Sequence, residues 1–177
     1  MKRVPRVVLV ALAACLLSPG CTPRTSSTAA ADFELPDINP ASATYGKTVR
    51  ASTLWTGNGI VLNFMASWCM PCRTELPALQ AIHASGDARI VCVAADEGAG
   101  TEDLLALVRS SGLTLPVLYA EPDRAAELAE AYTHDVLPST YLIGPDGTIR
   151  DLITGARPEE AFRQAISASL RSAARRP

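Results

Sequence analysis

Two cysteines, Cys69 and Cys72, stand two residues apart in Trp68-Cys69-Met70-Pro71-Cys72. They follow the apolar run Ile60-Val61-Leu62-Asn63-Phe64-Met65 and precede a helix-like stretch. Thiols at this spacing can close a small disulfide, and the positive end of a helix favours a thiolate there. The chemistry indicated is reversible dithiol–disulfide exchange. Two other uses of the spacing fit less well. Zinc needs four ligands, whereas the chain beyond its N-terminal segment adds only Cys92 inside an apolar run and two scattered histidines, His83 and His134, with no second CxxC. A purely structural bridge usually closes a longer loop, because the entropic gain grows with loop length.

The N-terminus indicates where the chemistry takes place. Lys2, Arg3 and Arg6 make a basic start, and Val7 to Leu17 is an apolar stretch broken only by small residues. It is too short to cross a bilayer as an ordinary helix, so residues 1–20 are expected to be an export signal. A Pro/Ser/Thr/Ala tract from Ser18 to Ala31 separates it from the next ordered-looking segment, and residues 21–31 are expected to form a flexible tether. The segment resembles a bacterial lipoprotein signal, in which the peptidase cuts before a cysteine that receives the lipid. Cys21, which follows the whole apolar run, is the expected lipid attachment site. Cys15, after Leu12-Ala13-Ala14, matches the usual lead-in better but leaves Leu16-Leu17 behind the lipid. Ordinary cleavage near Ala29-Ala30-Ala31 is the third alternative. Each places the mature protein on the periplasmic side of the cell envelope, the first two with a lipid anchor.

Charge and length set bounds. The formal charge of −2 falls to −5 once the signal is removed, because Lys2, Arg3 and Arg6 leave with it. No basic patch with interleaved aromatics and no internal repeat is visible, so nucleic acid is not an expected partner. About 140 residues have the composition of a folded domain, enough for one core; the domain is expected over 32–171, with a C-terminal tail at 172–177. Five cysteines in an exported chain of 177 residues do not make a disulfide scaffold.

Along the mature chain strands and helices alternate. Phe33–Asp37 and the stretch around Thr48-Val49-Arg50 have the pattern of short edge strands, and Gly57-Asn58-Gly59 turns into the buried strand Ile60–Met65. A helix follows from Cys69 or Pro71 to Ala84, with a kink expected at Pro77. Arg89–Ala94 is a second buried strand, and Thr101 is the expected N-cap of an amphipathic helix carrying Leu104, Leu105, Leu107 and Val108. Leu115–Tyr119 is predicted as a strand and Asp123 to Tyr132 as a helix with Leu128 inward. Thr140–Ile143, the turn Gly144-Pro145-Asp146-Gly147 and Ile149–Thr154 give a hairpin. A last helix has Pro158 in its first turn and Phe162, Ile166 and Leu170 on one face. The order is βαβ, an inserted helical piece, then ββα, with the first half parallel and the second an antiparallel hairpin.

The chain from about Phe33 to Leu170 resembles the TlpA/ResA-like branch of the thioredoxin fold, exported and often membrane-tethered thiol–disulfide oxidoreductases. The matching residues are Phe33-Glu34-Leu35-Pro36-Asp37, the run from Val61 through Trp68-Cys69-Met70-Pro71-Cys72-Arg73-Thr74-Glu75-Leu76-Pro77, and Leu137-Pro138-Ser139-Thr140-Tyr141-Leu142-Ile143 with Gly144-Pro145-Asp146-Gly147 after it. A CxxC alone is a weak signature; with the Leu-Pro-Ser-Thr strand entry downstream it is specific. The resemblance implies an α/β thioredoxin fold, a central mixed β-sheet flanked by helices. It also implies an N-terminal β extension and an inserted helix/strand between the βαβ and ββα halves. It further implies a cis-proline at Pro138 facing the CxxC, with the backbone at Leu137 pairing with an extended substrate as a short added strand.

Residue roles follow. Cys69, at the helix start, is the expected attacking thiolate, and Cys72, one turn further in, the buried resolving thiol. Trp68 either covers the pair and contacts substrate or packs in the core. Arg73 has the character of a solvated side chain. Glu75, three residues past Cys72, projects toward the same face, and the resembled family commonly carries a glutamate there. Thioredoxin itself has a buried aspartate six residues before its first active-site cysteine, where this chain has Asn63; Glu75 is then the nearby carboxyl able to deprotonate Cys72, unless it is an exposed helix acid. Cys92 is expected to be a buried, inert thiol. His134 lies near the cis-proline loop, where the family often has an aliphatic residue.

The function implied is periplasmic thiol–disulfide exchange, chiefly reduction of protein disulfides, because Met70-Pro71 offers no charge to stabilise a thiolate where strong oxidants of this fold place a histidine. In the resembled family such reductants serve cytochrome c maturation or respiratory copper sites and are recharged by a membrane electron donor. No cofactor and no bound metal is expected. Two alternatives from other classes remain: a copper-binding or delivery module using Cys69, Cys72 and Met65 or Met70, and a thiol peroxidase using Cys69.

Overall fold

A computed structural model describes residues 28–96, 101–133 and 135–171. The expected signal at 1–20, the candidate lipidation sites Cys15 and Cys21, His134 and the tail at 172–177 lie outside the described residues. Strands β3 (Ile60–Met65), β4 (Arg89–Ala94), β5 (Val117–Tyr119), β6 (Ser139–Ile143) and β7 (Ile149–Thr154) form one sheet in the order β5-β4-β3-β6-β7. β3 pairs parallel with β4 and antiparallel with β6, β4 pairs parallel with β5, and β6 pairs antiparallel with β7. All six residues of β3 are buried, which is why this central strand carries an almost unbroken apolar run. Ahead of it, β1 (Glu34–Pro36) and β2 (Thr48–Arg50) make a separate two-stranded antiparallel sheet. The expected mixed sheet, N-terminal β extension and inserted helix/strand are thus present.

Side-chain alternation along β3 divides the core in two. Val61 and Met65 lie in an apolar cluster with α1 (Met70–Ala84), α2 (Thr101–Ser110) and α4 (Glu159–Ile166), through Leu76, Leu79, Leu104, Phe162 and Ile166. Ile60, Leu62 and Phe64 belong to the other cluster, with Phe33, Leu35, Val49 and α3 (Pro122–Ala131). There the rings of Phe33, Phe64, Tyr132 and Tyr141 pack edge-on or tilted, with centroids 5.0–6.2 Å apart. Entry into β3 needs Gly59: its φ is +89°, and a Cβ there would lie 2.1 Å from the Ile143 carbonyl oxygen.

Three local details differ from the sequence expectations. β5 starts at Val117 and not at Leu115, because Pro116 has no N–H to donate and the Leu115 backbone is held by side chains: its carbonyl accepts from Asn39 Nδ2 at 2.7 Å and its N–H donates to Gln80 Oε1. Thr101 is the first helical residue of α2 and not a residue ahead of it. Beyond Ile166 the last helix widens into a π turn, Ser167–Arg171, that still buries Leu170. Residues 28–31, at the end of the expected tether, pair with the β6–β7 turn. The Ala30 N–H donates to the Gly147 carbonyl at 2.8 Å, the Ile149 N–H donates to the Thr28 carbonyl at 2.9 Å, and Ala30 is buried. Residues 28–31 are held because the β6–β7 turn offers them free backbone groups.

One buried acid ties the β extension to the main sheet. Asp37 Oδ1 accepts the backbone N–H groups of Asn39 and Val117 at 3.0 and 3.2 Å, and Oδ2 accepts the hydroxyls of Ser42 and Thr44, both at 2.6 Å. Asn39 adds hydrogen bonds to the carbonyls of Leu113 and Leu115. Removing the carboxyl leaves buried donors without acceptors. Asp37→Ala is therefore expected to destabilise the fold by on the order of 3 kcal/mol, measured by chemical denaturation, while the exchange chemistry of the remaining folded protein is retained.

Candidate active site

β3 delivers the chain into the site. Its last residue, Met65, accepts the Ala95 N–H at 2.9 Å, and the loop Ala66–Trp68 then carries the chain to Cys69, the N-cap of α1. Cys69 and Cys72 are joined by a disulfide with an S–S distance of 2.07 Å, and the Cys72 N–H donates to Cys69 Sγ at 3.2 Å. Cys69 is 4% exposed and Cys72 0%, so an incoming sulfur reaches Cys69 first. Pro71 occupies the first turn, where its missing N–H costs nothing.

Around the disulfide the surface is apolar. Trp68 and Met70 are 60% and 66% exposed, which excludes a core role for Trp68, and Val136 is half exposed. Leu137 and Pro138 are joined by a cis peptide, as the resemblance implied. The register Phe64↔Ser139 puts them beside the C-terminal end of β3, at the end of the sheet where the CxxC begins. The Pro138 carbonyl is taken by the Gly155 N–H at 2.9 Å.

The peptide of Ser67 is gripped on both sides. Its N–H donates to Asp96 Oδ1 at 2.7 Å, and its carbonyl accepts from Arg73 Nε at 2.9 Å. Arg73 is thus not merely solvated: it holds the loop that presents Cys69. Asp96, fully buried just past β4, was not singled out in the sequence, although its place after a strand's C-terminal end is where sites of α/β sheets gather.

Beneath the thiols, Glu75 is 1% exposed, so it is no surface acid. Its Oε1 accepts from Asn63 Nδ2 at 2.7 Å, and Oε2 has no hydrogen-bond partner. Burial raises its pKa to about 7; the Asn63 hydrogen bond and the approaching backbone and guanidinium of Arg157 pull the other way. Asn63 Nδ2 also donates to Thr140 Oγ1 at 2.9 Å, and Cys92 Sγ lies 3.6 Å from Asn63 Oδ1. These contacts follow from register, since Asn63 pairs with Cys92 on one side and Thr140 on the other. Burial, with the Glu75 charge second, pushes the Cys92 thiol far up, which keeps it protonated and inert. Met65 is fully buried in the cluster that holds both cysteines. Neither Thr140 nor the donor role of Asn63 was legible from the sequence, because both depend on strand pairing.

Comparison with known proteins agrees with this arrangement. The AhpC/TSA family profile matches residues 27–152. The thiol-disulfide oxidoreductase ResA of Oceanobacillus iheyensis is 35% identical over 129 residues, 72% of this chain and 64% of that protein, so the match spans just under two thirds of the relative's length. The Bacillus subtilis protein of the same name is 33% identical over 132 residues, covering 73% of this chain and 68% of the relative. Among solved structures, a thiol:disulfide interchange protein DsbE from Chlorobium tepidum superposes with a TM-score of 0.66 at 28% identity, covering 81% of this chain and 96% of the other. The exposed lipoprotein thioredoxin Etrx1 of Streptococcus pneumoniae gives 0.61 at 28% identity over 78% and 99%. With a CxxC capping a helix, a cis-proline at the same end of the sheet and a buried carboxyl below, the chain belongs to the AhpC/TSA family, among its ResA-like thioredoxin-fold thiol–disulfide oxidoreductases.

Proposed function

We propose that this protein is an extracytoplasmic reductant of protein disulfides, held at the membrane by a lipid on Cys21 and recharged by a membrane electron donor of the disulfide-reducing type. The observation that carries the reading is the pairing of an uncharged Met70-Pro71 between the cysteines with a buried Glu75 below them. Nothing in the dipeptide stabilises a thiolate, so the dithiol form gains little beyond the helix N-terminus and gives up its electrons readily.

The Cys69 thiolate attacks one sulfur of a substrate disulfide, forming a mixed disulfide and releasing the other sulfur as a thiolate. Glu75 takes the proton of Cys72. The Cys72 thiolate then attacks Cys69 Sγ, which closes the Cys69–Cys72 bond and expels the second substrate thiolate. Two electrons have passed to the substrate, and the protein is left in the disulfide state described above. Trp68, Met70 and Val136 supply an apolar rim for the substrate chain, and the backbone at Leu137 is its pairing partner.

The expected export signal, the cysteine at its end and the likeness to an exposed lipoprotein thioredoxin support the location. Among the described residues no helix is long and apolar enough to cross a membrane. A single acyl chain binds membranes only marginally, so a second contact, with the electron donor, is expected to strengthen the anchor. Substrates are exported proteins whose cysteines must be reduced before use, of the kind met in cytochrome c or copper-site maturation.

Five measurements test the reading. Cys72→Ser leaves the attacking thiol but removes the one that resolves, so mixed disulfides with substrates are expected to accumulate in cells, and Cys69→Ser to trap none; the reverse pattern would exchange the two roles. Equilibration with glutathione or dithiothreitol is expected to place the couple near the reducing end of the range from about −270 to −120 mV, and a value near the upper limit would make the protein a disulfide donor. Mass spectrometry of the mature N-terminus is expected to show a lipid on Cys21, and an unmodified terminus would sink the anchor. Glu75→Gln should slow closure of the disulfide roughly a hundredfold at neutral pH and abolish the rate increase that the wild type shows as pH rises through about 7. The sign for stability is opposite. A carboxyl whose pKa is raised on folding stabilises the fold fully below its unfolded pKa and loses that contribution as pH rises through about 7. Denaturation of the oxidised wild type should therefore show a loss of roughly 3 kcal/mol between acid and mildly alkaline pH, absent in Glu75→Gln.

A further inference from the structure

A polar side chain in the middle of a fully buried central strand has to satisfy its hydrogen-bonding groups inside the protein. Asn63, 0% exposed on β3, does so completely. One N–H goes to Glu75 Oε1 at 2.7 Å, the other to Thr140 Oγ1 at 2.9 Å, and the carbonyl faces the Cys92 thiol at 3.6 Å. The three neighbours fix which way the amide points: turned over, its carbonyl would meet Glu75 and Thr140 would lose its donor. The partners come from the two flanking strands and one helix, so the orientation is built by the register of β4, β3 and β6 together with the seating of α1.

We propose that Asn63 is a positioning residue of the exchange reaction: by occupying Oε1 of Glu75 it leaves Oε2 as the oxygen that receives the Cys72 proton. An oxygen that accepts an N–H is the carbonyl oxygen of a neutral carboxyl, so the acid proton resides on the other one. Oε2 is buried and has no partner of its own. In the closing step the Cys72 S–H bond breaks and an O–H bond forms on Oε2; the freed electron pair of the Cys72 sulfur forms the Cys69–Cys72 bond as the Cys69–substrate bond breaks, and the substrate sulfur leaves as a thiolate. The inference rests on the reading of Glu75 as the base for Cys72.

Cys72 stands three residues before Glu75 on the same helix face, Asn63 on β3 bonds the carboxyl and is itself bonded to Thr140 on β6, and Cys92 on β4 feels the carboxyl's charge. Arg157, in the loop after β7, approaches the carboxyl with its backbone N–H and supplies the one positive charge acting on it among the described residues. Asn63 therefore provides the one side-chain hydrogen bond made to the carboxyl, and its loss disfavours the ionised form. Glu75 should then titrate higher.

The test follows single-turnover oxidation of the reduced protein by glutathione disulfide, with acid quenching and mass spectrometry to separate the mixed disulfide from the closed form. Wild type, Glu75→Gln, Asn63→Leu, Thr140→Val and the double variant Asn63→Asp/Glu75→Gln are compared across pH. Asn63→Leu is expected to move the rate inflection up by about one pH unit, about tenfold in rate below it. Thr140→Val, which keeps the side-chain shape and the fold, should move it in the same direction by less. The double variant reverses the hydrogen bond, an amide on α1 now donating to a carboxyl on β3, and should recover at least tenfold of the rate lost in Glu75→Gln. If Glu75→Gln closes as fast as the wild type, the reading of Glu75 as base falls. If Glu75→Gln is slow but Thr140→Val leaves the inflection unmoved, or the folded double variant recovers nothing, the positioning role of Asn63 is overturned.

Discussion

A carboxyl buried between α1 and the sheet has to be held by something, and the geometry of the site depends on how that is done. Glu75 is anchored by Asn63, and Asn63 is anchored in turn by residues on the strands at either side. An unbonded amide at that depth costs roughly 1–3 kcal/mol. The strand register and the placement of α1 thus specify each other: a slip of β3 by one residue would send Asn63 to the opposite face and strand Glu75 in an apolar layer. The chemistry of the thiols depends on the same fit, because α1 that carries Glu75 also begins with Cys69 and Cys72.

The loop between strand and helix is treated in a similar way. The Ser67 peptide is gripped by Asp96 on one side and Arg73 on the other, so the residues that lead into Cys69 have no freedom to fold back. At the far end of β5, Asp37 does for the β extension what Asp96 does for the active-site loop: it collects backbone and hydroxyl donors that a turn leaves over. Both acids sit where a chain segment leaves a strand and regular pairing stops.

These buried acids mark the boundary of what the sequence makes legible. The strands, the helices and the Cys69–Cys72 pair are visible in it because apolar period, turn residues and thiol spacing are local signals. The cis-proline is legible through a combined motif, which stands in for geometry, whereas the burial of Glu75 is not, since its place on the helix also fits an exposed acid. Asn63 as a donor, Thr140 as its second acceptor and Asp96 as a clamp were not visible. Each makes its bond across 12 to 77 positions of sequence, and nothing local separates such a residue from an ordinary polar one. Trp68 is the reverse case: composition favours burial for a tryptophan, but a position ahead of the N-cap of α1 leaves it exposed beside the disulfide.

Exposure divides the labour within the site. Trp68, Met70 and Val136 present apolar surface to a partner, whereas Cys72 is closed to water altogether. Water that cannot reach the Cys72 sulfur cannot take a proton from it. In the proposed exchange the proton therefore passes to a group already inside. A solvated carboxylate is a poor base at neutral pH, but burial makes Glu75 a suitable one, since a pKa of about 7 lets it both accept the Cys72 proton and release it in the next cycle. In the proposed exchange, the same burial that shields Cys72 from water is what calls for an internal carboxyl and for the amide that orients it.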